Sequence, residues 1–594
     1  MTIRLRSSSN TEIRIRPQLQ TWPSLSDAGF GVHPKFGGIG VPVVQTNFTT
    51  TSSLPSWISF SRTSNATLYD STGKLTYAPN NIALYSQDLT NWTADGANVT
   101  SSTETAPDGS ATATLLTAAS GNYRRYRVTT FTVGTAYIYS VYVKQGTAAT
   151  VQTDVVNQVA GPIFTFATQT YVGGVGVSNH TVTNVGNGWF RLSFKLTPSA
   201  ASIGPGIAMN GATVGQTVYV WGQQAEAVTY QTTPSTYQPT TTAAYYGPRF
   251  DYDPSTVPAT PRGLLIEESR SNLLTYSEQF DNAAWVKAAA SVTANATTAP
   301  DGTTTVDKLT PDVTNAQHKV TITASSGSAN NVISVYAKVA GYNWLIVQGS
   351  GYAWFDISNG AVGTQTSCTG SITSVGNGWY RCSIVMSTAS TSVSIWASNG
   401  NNVTSFAGDG TSGIFIWGAQ LEAGAFATSY IPTTTASVTR AADVAQLTGS
   451  ALTTATATSA SAIVQTTALL DSAGNHAYIG MSSVLIPLFV SGSNTTFYSY
   501  GGATRSAIIG SGTFTGSPVR LAIGWGATTA SIVGNNGNIT SAANVFGGGS
   551  AAYLGSYSGT NAYNLDGWIA SVALYNQRLP DAILKQKSVV GAPY

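Results

Sequence analysis

The feature that most limits what this chain can fold into is an internal repeat, because a module present twice must close a core in each copy. Residues 81–243 and 272–438 carry the same landmarks in the same order. Asn81-Ile82-Ala83-Leu84-Tyr85-Ser86 answers to Asn272-Leu273-Leu274-Thr275-Tyr276-Ser277, and Trp92 to Trp285. Ala106-Pro107-Asp108-Gly109 answers to Ala299-Pro300-Asp301-Gly302, and Ser140-Val141-Tyr142-Val143-Lys144 to Ser334-Val335-Tyr336-Ala337-Lys338. Val185-Gly186-Asn187-Gly188-Trp189-Phe190-Arg191 matches Val375-Gly376-Asn377-Gly378-Trp379-Tyr380-Arg381. Trp221-Gly222-Gln223-Gln224-Ala225-Glu226-Ala227 matches Trp417-Gly418-Ala419-Gln420-Leu421-Glu422-Ala423. The offset drifts only between 190 (Trp189 to Trp379) and 196 (Trp221 to Trp417).

Each copy reads as all-β. In Tyr139 to Lys144 the side chains alternate, Tyr139, Val141 and Val143 towards one face and Ser140, Tyr142 and Lys144 towards the other, the period of a half-buried strand. Asn187-Gly188 and Asn377-Gly378 supply the positive φ angles of tight hairpins. Pro107-Asp108-Gly109 and Pro300-Asp301-Gly302 are turns by the same logic. Short strands and turns over such a length predict a two-sheet sandwich or jelly roll. A third unit, 446–594, contains strands such as Val519 to Trp525 and Leu565 to Tyr575, then a helix-like tail after Leu579-Pro580-Asp581.

Composition narrows the partners. Of 594 residues 42% are hydrophobic and 9% charged, where an ordinary soluble domain has roughly 25% charged. Disordered chains have the reverse balance. The net charge of +2 comes without a long basic stretch, so nucleic-acid binding is not expected. No run of 18 apolar residues suggests a membrane span, and the start MTIRLRSSSNTEIRIR has no apolar stretch of a secretory signal. The two cysteines, Cys368 and Cys382, make no disulfide framework, although a pairing across a hairpin is open. The four histidines, His33, His180, His318 and His476, have no metal-type spacing.

Several segments resemble structural proteins of tailed bacteriophages. The opening from Asn272 to Gly302 and the closing Trp417 to Glu422 resemble a carbohydrate-binding-module-like jelly roll recurrent in them. Phe60-Ser61-Arg62 to Leu75 looks like a lead-in, with Pro248 to Pro254 and Pro261 to Glu267 as its continuation, and the first jelly roll inserted between. Leu565 to Leu579 is similar to the last strand of concanavalin A-like, laminin-G-like sandwiches. The resemblance implies an all-β chain of tandem β-sandwich (jelly-roll) domains with a C-terminal concanavalin A-like sandwich. The expected segments are 1–58 for virion attachment, 59–80 lead-in, 81–243 jelly roll 1, 244–271 connection, 272–445 jelly roll 2 and 446–594 the terminal sandwich. The basic start, with Arg4, Arg6, Arg14 and Arg16, reads as a hairpin or docking arm.

The candidate residues follow from what differs between copies and what persists. The shared tryptophans read as core landmarks. Aromatics peculiar to one copy are the carbohydrate-binding candidates: Tyr123 and Tyr126, flanking Arg124 and Arg125, in the first, and Trp344, Tyr352 and Trp354 in the second. Glu226 and Glu422 persist in a chain poor in acids. They read as hydrogen-bonded or paired with Arg191 and Arg381; the alternative is a Ca²⁺ ligand, which needs further oxygen donors. Asp251/Asp253 and Glu267/Glu268 are the closest acidic pairs, and the prolines around Asp251 read as a linker turn. No Gly-x-Ser-x-Gly, His-Glu-x-x-His or phosphate loop occurs, so no enzymatic activity and no cofactor are expected. The chain is thus expected to be a virion protein made in the host cytoplasm, a tail fibre, spike or decoration appendage. It would join other virion proteins through residues 1–58, form a homotrimer or other homo-oligomer, and bind host-surface polysaccharide. A ligand-free decoration protein and a glycan depolymerase are the alternatives.

Overall fold

The computed structural model describes residues 41–594 apart from 121–122, 158–159, 210, 469–475, 482–484, 491–496, 502–503, 510–517, 544–549, 557–564 and 593. The N-terminal basic hairpin therefore lies outside the described residues. Strands dominate throughout, and the described helices are short, Gly449–Ala455 and Asp581–Lys587 among them. The protein is all-β, built of tandem β-sandwiches.

Each repeat folds as a pair of sheets, six- and seven-stranded in the first copy and both six-stranded in the second. In the first, one sheet runs Val177–Gly186, Trp189–Leu196, Tyr137–Gln145, Thr217–Ala227, Thr114–Ala118, Ala97–Ser101. The facing sheet runs Thr170–Val172, Ile163–Thr165, Thr150–Val156, Ser202–Ala208, Arg124–Tyr126, Thr93–Asp95. The second repeat reproduces both orders, with Asn331–Ala340 in the place of Tyr137–Gln145 and Ser392–Ser398 in the place of Ser202–Ala208. Tyr139, Val141 and Val143 point into the first core, and Ile333, Val335 and Ala337 into the second.

The outer face of that central strand is buried as well, which alternation alone does not predict. The segment after the closing strand folds back across it. Tyr237 packs on Tyr142 and Trp221 in the first copy, and Tyr430 on Tyr336 and Trp417 in the second. The hairpin turns are as expected, with Asn187 and Asn377 both at φ 52.

The landmarks of the repeat are its internal fasteners. The buried amides Asn81 and Asn272 donate to the carbonyls of Gln223 and Ala419 (3.0 and 3.1 Å), and their Oδ1 atoms accept from Ala83 and Leu274 (3.0 and 3.1 Å). Trp221 and Trp417 each donate Nε1 to a threonine hydroxyl, Thr112 and Thr305, at 2.9 Å.

The terminal sandwich is assembled from distant pieces of the chain. Its eight-stranded sheet includes Val44–Asn47 and Thr260–Ile266, both paired with Gly567–Tyr575, beside Ala460–Ala468, Val519–Trp525, Thr529–Gly534 and Thr540–Ala543. Arg249–Asp253 adds the edge strand, where the sequence suggested a linker turn. The prolines at 248 and 254 only bracket it; Phe250 between them packs on the sandwich core. The facing seven-stranded sheet starts with Ile58–Ser61 paired to Val444–Leu447. One core, including Val44, Ile58, Leu264, Ala445, Ile523 and Leu574, lies between these sheets.

Both jelly rolls consequently hang from the sandwich as insertions, each on a two-stranded stem. Asn80–Asn81 pairs with Tyr245–Tyr246 at the root of the first, and Arg270–Asn272 with Val438–Arg440 at the root of the second. At these roots lies a buried ion cluster. Arg62 bonds Asp443 at 2.7 Å and Arg249 bonds Glu267 at 2.6 Å, while Arg249 also reaches Asp443 and Arg440 lies 3.5 Å from Glu267. Desolvation disfavours both carboxylates, yet Arg440 and Arg249 hold Glu267 well below the ordinary range, and Arg249 and Arg62 do the same for Asp443. An ion removed from such a set leaves its partners uncompensated in a dry interior, at a cost of about 3–5 kcal/mol.

Candidate carbohydrate-binding face

The second jelly roll carries an aromatic cluster that does not belong to its core. Along Trp344–Gln348, Tyr352–Asp356 and Ser392–Ser398, the inward residues Leu345, Val347, Ala353, Phe355, Val393, Ile395 and Ala397 fill the core. Strand alternation sends the others outward, and there Ile346, Trp354 and Trp396 cluster with Trp344 and Tyr352 at the margin. Register makes the row continuous: Ile346 stands opposite both Trp354 and Trp396, and Trp396 opposite Lys319.

The members differ in what they offer. Trp354 is buried beneath the others and donates Nε1 to the Val403 carbonyl at 3.1 Å. Tyr352 meets it edge-on, with ring centroids 5.3 Å apart. Trp344 and Tyr352 remain half-exposed. Lys319 Nζ sits 4.3 Å from the Trp396 ring centroid, and burial pulls this ammonium below its ordinary pKa. The Trp396 indole N–H is buried without a hydrogen-bond partner. Asn401 Oδ1, which accepts from Thr364 N at 2.8 Å, borders Trp344. The arrangement joins apolar ring faces, an unspent donor, an amide and a cation, the means by which a protein holds a sugar's C–H face and hydroxyls.

The sequence points to Trp344, Tyr352 and Trp354, and the structure brings these three together. It also adds Trp396 and Lys319. Trp396 was legible by the same rule, since Gly206 occupies the matching strand of the first copy.

The first jelly roll's matching face is ionic and small-featured. Arg124 bonds Asp95 at 2.7 Å and Asp154 at 2.9 Å. Tyr126 lies across Gly204 and Gly206: a Cβ on Gly204 would meet its ring at 2.8 Å, and one on Gly206 would meet the Arg125 carbonyl and the Tyr126 Cβ. Tyr123, with φ 50, packs on the first core, and Arg125 donates to the Ala97 and Trp92 carbonyls at 2.8 Å. Tyr123 and Tyr126 thus share a strand region with the arginines but not an exposed aromatic platform.

Glu226 and Glu422 do equivalent work inside their modules. Glu226 accepts from Ser235 N at 2.8 Å and from its hydroxyl at 2.5 Å, and Glu422 accepts from Thr428 N at 3.1 Å and from its hydroxyl. Arg191 and Arg381 grip the same loops from the other side, donating to Ser235 O at 2.6 Å and Thr428 O at 2.7 Å. Among the described residues, no group of three or more His, Cys, Asp or Glu is placed to hold a metal ion. His318 is buried, its ring nitrogens 2.6 and 2.7 Å from the Ala289 and Phe406 carbonyls.

Asp251 is enclosed, accepting from Tyr69 N at 2.7 Å and Trp568 Nε1 at 2.8 Å, and burial pushes it up to about 6. Asp253 caps the next turn through Ser255 N at 2.9 Å. Glu267 belongs to the ion cluster. Both cysteines are free thiols, and Ile372 rather than Cys368 stands opposite Cys382. Among the described residues, no helix is long and apolar enough to cross a membrane.

No family model matches the sequence, and no curated protein matches it. Among solved structures it is similar to the N-terminal CBM22-1-CBM22-2 tandem domain of Xyn10C from Paenibacillus barcinonensis, at 13% identity and TM-score 0.21, covering 58% of this chain and 98% of that one. Domains LG4-5 of the mouse laminin alpha1 chain match at 11% identity and TM-score 0.16, covering 42% and 85%. The LG1-3 region of the laminin alpha2 chain matches at 8% identity and TM-score 0.14, covering 77% and 96%.

Proposed function

We propose that this chain is a glycan-binding appendage of a tailed-phage virion, a tail fibre, spike or capsid decoration, which holds neutral host-surface polysaccharide. The observation that carries the glycan reading is the aromatic row Trp344–Tyr352–Trp396 on the outer face of the second jelly roll, with an unspent indole donor and an amide beside it. The virion reading rests on the sequence motifs and on a surface poor in charge, with the N-terminal region attaching to other virion proteins. A homotrimer would turn weak single sites into avidity. The reading assigns no catalysis.

The test is binding of the full chain to host capsule and lipopolysaccharide, measured by surface plasmon resonance. Trp344→Ala, which removes a half-exposed ring without opening the core, should weaken binding by about 1–2 kcal/mol, roughly tenfold. Undiminished binding would remove this face from the reading. Gold-labelled antibody against the chain on purified particles tests the virion half, and unlabelled particles would refute it.

A further inference from the structure

A second feature stands apart from the aromatic face. A cavity of about 490 Å³ opens where the lead-in and the two jelly rolls meet, within the size range of small-ligand sites. Tyr77 comes from the lead-in, Lys195 from the first module, and Glu278, Asp301, Trp417 and Thr433 from the second.

One of its polar groups is left unpaired where the first copy's counterpart is bonded. The Thr240 hydroxyl of the first module donates to the Ala83 carbonyl. The equivalent Thr433 hydroxyl, on a residue only 5% exposed, has no hydrogen-bond partner. An unsatisfied buried hydroxyl costs about 1–3 kcal/mol, so an occupant that pairs with it gains by doing so. Glu278 replaces the first module's Gln87 and accepts from Tyr430 OH at 3.0 Å. Burial, and then the neighbouring Asp301, push its carboxyl above the ordinary range, which favours the neutral form that both donates and accepts. Lys195 Nζ is already committed to the Thr229 and Gln231 carbonyls at 2.7 and 3.2 Å. The wall therefore offers hydroxyl, carboxyl and aromatic edges and no uncommitted cation for an anionic guest.

We propose that this intermodule cavity is a second binding site, for the end of a short neutral glycan, which Thr433 and Glu278 hydrogen-bond and which touches both jelly rolls at once. It does not depend on the aromatic face, and the experiment separates the two.

The full chain is titrated calorimetrically with a panel of neutral mono- and disaccharides of glucose, galactose and N-acetylglucosamine. Two variants address the cavity. Thr433→Val keeps the backbone N–H that bonds Ser277 Oγ and removes only the hydroxyl. Ala294→Trp, on an exposed position of the rim, plugs the mouth without entering a core. The expected result is saturable binding of at least one sugar that survives Trp344→Ala, falls roughly tenfold in Thr433→Val and disappears in Ala294→Trp. Binding unchanged in both cavity variants, or lost only in Trp344→Ala, would overturn the proposal, as would no saturation by any sugar of the panel up to millimolar concentration.

Discussion

Among single residues, the acids are the most informative, because only 25 exist and nine of the described ones are buried. Glu267 and Asp443 are held down by arginines, whereas Glu278 is pushed up to about 8, and the two classes act oppositely on stability. A raised folded-state pKa contributes stability below the unfolded value of about 4.3 and loses it as pH climbs through the folded value. Glu278, facing Asp301, Tyr430, Tyr77 and Lys195, should therefore make the fold less stable between about pH 5 and 9. Glu278→Gln, the residue that the first copy carries at Gln87, should flatten that decline; thermal melts of both proteins across this range check it, and parallel curves would count against it. The role of these acids was only half visible in the sequence. Persistence of Glu226 and Glu422 in both copies marked them as architecture. The burial of Glu278 depends on modules folding against each other, which no local pattern encodes.

At the scale of elements, the closing strand shows how far a motif can be understood before its geometry is known. Trp-Gly-x-Gln stood out as a repeat landmark, but why glycine follows tryptophan became clear only from the ladder. In both copies the pairing slips at this point, between Ser140 and Tyr142 and between Ser334 and Tyr336. Gly222 and Gly418 take φ 62 and 63 there, and a Cβ on either would lie 2.9 Å from the ring of Tyr142 or Tyr336. The bulge turns that tyrosine under the fold-back loop, and only glycine permits it. Gly418→Ala should cost about 1–3 kcal/mol, more than an alanine placed elsewhere on the same strand. Chemical denaturation of the full chain measures it, and a loss under about 0.5 kcal/mol, the scatter of ordinary surface substitutions, would contradict the account. Strand periodicity was legible for the same reason that the hairpins were: both are local. The coverage of the outer face was not, since the covering loop acts through tertiary contact.

For the whole molecule, the repeat gave away two modules, while the sandwich that carries them was hidden in pieces. Its strands Val44–Asn47, Ile58–Ser61 and Thr260–Ile266 pair with partners hundreds of residues away, so nothing in a short window marks them as one sheet. Residues 446–594 expressed alone should then fail to give a cooperative unfolding transition. They expose the flank of Gly567–Tyr575 that Val44–Asn47 and Thr260–Ile266 cover, and lack half of Val444–Leu447 with its partner Ile58–Ser61; unpaired edges of this kind associate. Size-exclusion chromatography with near-ultraviolet circular dichroism decides it, and a monomer with a sharp melt would show that the outlying strands are dispensable. The stems have another consequence, for inheritance rather than for folding. Each module leaves and re-enters the scaffold through adjacent strands, Asn80–Asn81 beside Tyr245–Tyr246 and Arg270–Asn272 beside Val438–Arg440. A gene segment bounded by those codons therefore enters and leaves the frame at one place. Recombination there would exchange a whole module while leaving the strand pairing of the frame that carries it intact.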